Sequence, residues 1–408
     1  MAILFWSLVD TPPNSNLVGS KWVYKVKVQG QQTIYKARLV AKGCSHVEGI
    51  NSHDTFAPVV RLTTFSLLFS IAAVQDWKIY HFDIISDFLQ GNLEEVFYLK
   101  QPQFFLKLEN EHKVYRLKNV IYGLRQGSDA WNNLFPVSKC FGINVTRDRA
   151  RRTTYLDQSE YAQSILTNFN MNDCQVNSTP MEEGTNGAVL KTPGMDEEYL
   201  YRSLVGTLIY LYQATRPDLT FAVNILSRFN NCYKAEHWQA AERVLRCLKA
   251  STGMKLVYGP NRNYVVGYSD AGCPKVPIDD PKFTPTVFLS CGGPISWTTS
   301  EESTVACSST EAKYYALLAT TKGAIWLHDL CLELRVGARS PINIHCDNKS
   351  IIQFIINENY SKETQHINLQ HHFIKRYVSD KCITLEFTST TQMLGEGLTK
   401  DLSKAKFE

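Results

Sequence analysis

From residue 21 to residue 43 apolar and basic positions alternate: Trp22, Tyr24, Val26 and Val28 interleave with Lys21, Lys25 and Lys27 before a polar QGQQ turn. The returning run sets Lys36, Arg38 and Lys42 on one face and Ala37, Leu39 and Ala41 on the other. A period of two predicts a β-hairpin with a basic face on both strands. Such a face suits phosphate contacts, although a solvated outer face would carry the same pattern. After FAPVVRLTT the spacing predicts a helix from Thr64 to about Gln75, a strand through Asp83 in YHFDIISDFLQG, and a turn at Gly91. Residues 113 to 135 read as a strand, a glycine turn and the start of a helix.

The stretch from 178 to 198, STPMEEGTNGAVLKTPGMDEE, has the composition of a flexible connector. Helical segments follow. In TRPDLTFAVNILSRF, Pro217 takes a first-turn position and Ala222, Ile225, Leu226 and Phe229 have core spacing. HWQAAERVLRCLKA buries Trp238, Ala241, Val244, Leu245 and Leu248 and aligns Arg243, Arg246 and Lys249 outside, a stripe that fits either solvation or a nucleic-acid contact. GPNRN at 259 to 263 marks a further boundary. Beyond it the pattern predicts strands at 264–269, 286–291 and 294–298, a helix at 309–334, a strand at 341–346, helices at 350–357 and 364–380, and a strand at 382–388. The expectation is a mixed sheet carrying helices, with no internal repeat.

Composition narrows the class only modestly. The 408 residues are 44% apolar and 20% charged, with a net charge of +4, which permits a nucleic-acid partner without requiring one. Eleven scattered cysteines contain no C-x-x-C pair, against a zinc site or a disulfide framework. Reduced thiols point to the cytoplasm or nucleus. The longest apolar stretch, Phe65 to Val74, is too short to span a membrane, and MAILFWSLVD lacks the basic start of a signal peptide.

Candidate chemistry lies in the last third. Asp270 closes the strand VVGYSD, Glu311 opens the long helix, and Asp347 closes INIHCDN. Acids at two strand ends and a helix start can converge above a sheet edge, where hard oxygen ligands hold Mg²⁺. Two such ions clamp the attacking water and the leaving oxygen of a phosphodiester. Each acid also has a structural reading: Ser308 and Glu311 form a capping box, and Asp347 could cap the helix near Ser350.

These residues lie within motifs that resemble the reverse transcriptase and ribonuclease H region of Ty1/copia-type retrotransposon Pol polyproteins. The matching runs include WSLVDTPP, GSKWVYKVK, YKARLVAKG, DTFAPVVRLTT, DFLQGNLEEVFYLKQP, VIYGLRQGSDAW, YRSLVGTLIYL, TRPDLTFAVN, GYSDAG, CSSTEAKYYAL, CDNKSI and QHINLQHHFI, in the family's order over nearly the whole chain. The resemblance implies an α/β (α+β) protein in three parts: incomplete fingers and palm at 1–135, a palm remnant with a helical thumb and connection at 136–260, and a ribonuclease H-like domain with a mixed five-stranded sheet at 261–408. It makes Asp83 the first metal-binding aspartate of the palm and Arg38 a contact to the incoming nucleotide. The basic faces of the hairpin and of the later helix add Lys25, Lys36, Arg243 and Arg246 as candidate nucleic-acid contacts. Asp270, Glu311 and Asp347 match three acids that hold two Mg²⁺, with Mn²⁺ as an alternative ion. Glu396, in GEGLTK, stands where the family has the fourth acid as an aspartate. The partner implied is an RNA/DNA hybrid or other nucleic acid, with no membrane involved.

The chain also departs from that pattern. The palm's Tyr-x-Asp-Asp turn is missing: AWNNLFPVSKCFGINV runs from the segment before it to the segment after it, with some tens of residues absent. Asp279 and Asp280 form the sequence's one Asp-Asp pair and lie in a Pro-rich loop. Asp148 and Asp157 flank a basic, non-apolar stretch that is a poor candidate for a strand and turn. KFTPTV replaces an Arg-Ser-Thr-x-Gly run, and Gly323 sits inside the long helix where a glutamate is usual, at a cost of about 1 kcal/mol relative to alanine. These read as drift. The expectation is a remnant without polymerase activity that hydrolyses the RNA of hybrids. The alternatives are a non-catalytic nucleic-acid-binding or interaction protein and a degenerate product without function.

Overall fold

The computed structural model describes residues 6–13, 15, 17–29, 32–41, 60–82, 98–102, 110, 112–118, 134–182, 199–261, 265–270, 283–301, 309–336, 341–356 and 368–398. They form a mixed α/β protein whose chain divides into two units, one of Met1–Val59 and Tyr80–Pro136 and one of Val60–Ile79 and Val137–Glu408. No helix among the described residues is long and apolar enough to cross a membrane.

In the first unit β1 (Trp6–Asp10), β2 (Leu17–Val18), β6 (Tyr98–Leu99) and β7 (Lys113–Leu117) form a sheet in the order β1-β7-β6-β2. The predicted hairpin is present as β3 (Ser20–Gln29) and β4 (Gln32–Ala41), paired antiparallel over all ten residues of each strand. β5 (Tyr80–Phe82) pairs antiparallel with β8 (Leu134–Pro136). Among the described residues of this unit, Val18, Leu39, Leu99 and Leu117 form a buried apolar cluster, with Trp6, Trp22 and Tyr115 packed around them. Asp83, the connector from 183 to 198, Ser308, Asp279 and Asp280 lie outside the described residues.

The second unit starts with α1 (Leu62–Gln75), whose residues FSLLFSIAAV are apolar nearly all round and bury most of the helix, Leu68 remaining exposed. The Ser70 hydroxyl bonds its own helix at Leu67 and shares a 2.8 Å hydrogen bond with Ser290. α1 stops at Asp76, which adopts a left-handed conformation with φ 55°. Arg147 reaches the Ala72 and Trp77 carbonyls, and Arg149 pairs with Asp76 at 2.6 Å. These cations face the negative end of the helix dipole.

A four-stranded antiparallel sheet, in the order β12-β11-β10-β9, comprises β9 (Lys139–Cys140), β10 (Ile143–Asp148), β11 (Thr153–Asp157) and β12 (Leu256–Tyr258). The stretch between Asp148 and Asp157 is thus a strand and turn after all, correcting the expectation from its basic composition. Ile143, Val145, Thr154 and Leu156 are buried and supply the alternation that the arginines mask. The two aspartates lie at opposite ends of this hairpin, with Asp148 opposite Thr153 and Asp157 opposite Asn144. Asp157 accepts the Ser159 N–H and hydroxyl at the start of α2 (Ser159–Asn168), a capping role. α3 (Tyr201–Ala214), α4 (Thr220–Ser227, after a 3-10 turn led by Pro217) and α5 (Ala235–Ala250) share with α2 one core containing Leu204, Leu208, Val223, Leu226, Val244 and Leu245.

The expected mixed sheet has five strands in the order β15-β14-β13-β16-β17: β13 (Val266–Ser269), β14 (Phe283–Ser290), β15 (Gly293–Glu301), β16 (Ile342–Cys346) and β17 (Ile383–Phe387). β13, β14 and β15 pair antiparallel, while β16 runs parallel to both β13 and β17. α6 (Ser309–Glu333), α7 (Lys349–Ile356) and α8 (Asn368–Ser379) complete the region, within a residue or two of the predicted bounds except at the start of α8. Gly323 of α6 has a packing reason. A Cβ there would lie 2.8 Å from the ring of Phe288, and a Cβ at Gly267 would lie 2.9 Å from the same ring. The buried phenyl group needs both glycines, so the propensity lost at 323 is exchanged for a close approach of helix to sheet.

Candidate active site

β13 and β16 are neighbouring parallel strands with Ser269 opposite Cys346. Asp270 and Asp347 therefore leave the sheet side by side, one residue past that last pair. Parallel strands put both carboxylates at the same end of the sheet, where antiparallel strands would send them apart. α6 lies across these strands with Glu311 in its first turn. The Tyr315 hydroxyl, one turn on, donates to Glu311 Oε1 at 3.2 Å. The 3-10 turn Leu394–Leu398, which contains Glu396, passes close to Asp270 at its glycine: a Cβ on Gly395 would lie 3.0 Å from the Asp270 Cβ. Backbone placement thus brings Asp270 and Asp347 to one end of the sheet, with the start of α6 reaching Asp347 through Lys313.

Their side chains are differently engaged. Asp347 is 4% exposed, and its Oδ2 accepts a 2.6 Å bond from the Lys313 ammonium and a 3.4 Å bond from the Thr390 hydroxyl. Its Oδ1 is buried and has no hydrogen-bond partner. The capping role considered for Asp347 belongs to its neighbour: Ile351 N–H donates to Asn348 Oδ1 at 3.1 Å. Burial pushes the Cys346 thiol up; the Asn348 backbone opposes the shift, and the charges of Asp347 and Asp270 add to it.

Does this set fit a divalent ion? The donors are hard carboxylate oxygens, and the orphaned, buried Oδ1 of Asp347 is an acceptor waiting for a cation, so the chemistry fits. Among the described residues, however, no three His, Cys, Asp or Glu side chains stand close enough to share an ion. Lys313 lies two positions after Glu311 and the sequence pattern gave it no role. A cation following a ligand acid on the same helix turn was the available signal.

The basic candidates separate into two groups. Lys25 is exposed and stands opposite Lys36 in the hairpin register, with Val23 opposite Arg38 two positions away on the same face. Arg243 instead binds Glu182 at 2.7 Å and Thr179 at 3.2 Å, and Arg246 binds Glu242 at 3.2 Å, so both are held by partners on the protein.

The family described as reverse transcriptase (RNA-dependent DNA polymerase) matches residues 4–136. The chain is 30% identical to the retrovirus-related Pol polyprotein from transposon TNT 1-94 of Nicotiana tabacum, over 99% of this chain and 36% of that protein. It is 29% identical to the corresponding polyprotein from transposon RE2 of Arabidopsis thaliana, over 99% of this chain and 32% of that one. The chain thus spans about a third of the length of these curated relatives. The first alignment runs over 477 positions against the chain's 408 residues, so at least 69 positions of the relative stand opposite gaps. A solved structure of the foamy viral protease-reverse transcriptase in complex with double-stranded DNA aligns with 94% of this chain and 67% of that one, at 13% identity and a TM-score of 0.44.

Proposed function

We infer, for a chain related over nearly its whole length to the Pol polyproteins of Ty1/copia-type retrotransposons, a remnant that no longer makes DNA and hydrolyses the RNA strand of RNA/DNA hybrids. The observation that carries the hydrolytic part is the pairing of Asp270 and Asp347 at the ends of adjacent parallel strands, with one buried carboxylate oxygen left unpartnered. Asp270, Glu311, Asp347 and Glu396 would hold the divalent ions. Bound Mg²⁺, or Mn²⁺, supplies charge neutralisation at the phosphodiester and a more acidic water.

The rest is done by the chain itself. The sheet fixes the spacing of Asp270 and Asp347, α6 presents Glu311, and the Tyr315 hydroxyl orients that carboxylate. The loss of polymerase chemistry is supported by the sequence running from AWNNLF to CFGINV without a Tyr-x-Asp-Asp turn between them. Phosphoryl transfer depends on ions that those acids would have held.

Purified protein with Mg²⁺ and a labelled RNA/DNA hybrid is expected to release RNA fragments, and Asp347→Asn to abolish the release. Absence of cleavage by the unsubstituted chain would sink the hydrolytic reading. A second reading, a binder without catalysis, is favoured by the facing lysines of the β3-β4 hairpin. It predicts hybrid binding that survives without cleavage and falls steeply with salt.

A further inference from the structure

Lys313 is the residue at this edge that the hydrolytic reading does not use. Its ammonium sits on Asp347 Oδ2 at 2.6 Å, while the other oxygen of the same carboxylate is buried without a partner. A carboxylate 4% exposed would be costly to keep charged alone, and here the chain supplies the counter-charge from its own helix. Lysine suits this task in a way arginine does not: its ammonium is a compact point charge on a flexible stem. The Lys313 side chain is 23% exposed, so the stem has a route to solvent once the pair opens.

We propose that Lys313 is an internal counter-ion that holds the third acid of the site and competes with divalent metal for it. The proposal rests on the hydrolytic reading for the identity of the site, but concerns its metal-free state. A metal reaching Asp347 meets an occupied Oδ2 and must displace the ammonium; the orphaned Oδ1 is the point where it can first engage. The affinity of the site for metal therefore carries the cost of breaking the ion pair. Two cations cannot share one buried carboxylate oxygen without strong mutual repulsion. The loading of the site consequently becomes a function of ion concentration, with the lysine as the resting occupant.

The test is direct binding of Mn²⁺ to the full chain, followed by electron paramagnetic resonance, in the unsubstituted protein, Lys313→Gln and Lys313→Arg. Lys313→Gln removes the charge and should bind roughly tenfold tighter, a change of about 1.4 kcal/mol. Lys313→Arg keeps the charge and should bind no tighter than the unsubstituted chain. Equal or weaker binding by the glutamine variant would overturn the proposal. If that variant fails to fold, the unsubstituted protein still decides: ¹H–¹⁵N spectra of its lysine ammonium groups should show the Lys313 signal, slowed in exchange by its ion pair, disappearing as Mg²⁺ is added. A signal unmoved at saturating Mg²⁺ would be equally fatal. Hybrid cleavage assayed in parallel separates the two readings. Tighter Mn²⁺ binding with no cleavage by any variant removes the nuclease and leaves the counter-ion, whereas cleavage with unchanged affinity does the reverse.

Discussion

The two units differ in the apolar clusters that their described residues form. In the first, Val18, Leu39, Leu99 and Leu117 make one cluster, while in the second two larger clusters draw on five strands of one sheet, four of another and every helix from α1 onward. The helix α1 sharpens the contrast. Its sequence position, between Val59 and Tyr80, places it inside the first unit, yet its buried face belongs to the second. The most apolar of the described helices thus packs within the second unit although the chain on both sides of it belongs to the first. Contact energy follows buried area and not chain order.

The comparison can be broken most directly at Ile71, which is fully buried in α1. Ile71→Ala is expected to cost the second unit about 2–5 kcal/mol in urea unfolding and to leave hydrogen-exchange protection in β1, β3, β4 and β7 unchanged. Loss of protection in both units would show that α1 couples them. A smaller effect is expected at Gly323, where alanine gains about 1 kcal/mol of helix propensity but overpacks against Phe288 at a cost of about 1–3 kcal/mol. Gly323→Ala should therefore come out destabilised, and Phe288→Leu in the same chain should recover part of the loss. Net stabilisation by the alanine would show that the ring can move aside.

The smallest effect is set by pH. A hydrogen bond from Arg149 holds the Asp76 carboxyl below its ordinary value, against the opposing effect of burial. A depressed carboxyl contributes stability that is complete above its unfolded value, near about 4, and is lost as pH falls through the lower folded value. Asp76→Asn should slightly weaken the second unit at pH 7 and flatten the dependence of its stability on pH below about 4. Parallel stability curves for the two proteins would refute the assignment.

Periodicity made much of this architecture legible. The strands and helices beyond residue 264 follow from alternation and core spacing, and the β3-β4 hairpin from its lysine and aromatic alternation. The hairpin of β10 and β11 escaped because arginines occupy its turn and the buried positions include threonines, which carry little hydrophobic signal. The acids at 270, 311 and 347 could be placed at element ends from sequence. Their state could not, because the partner of Asp347 depends on a lysine reaching across from a helix, and the cap of α7 shifts by one residue to Asn348. Such pairings depend on rotamers and distances that no spacing rule encodes.

Phe288, with a glycine on either side of its ring, also constrains how this chain can change. A side chain at position 323 fits without crowding only where the ring at 288 is smaller or shifts. The order in which substitutions are made at these positions therefore matters. What reads in the sequence as a weak point of a helix is a mutual constraint: with the ring between the two glycines, each of the three positions depends on the other two.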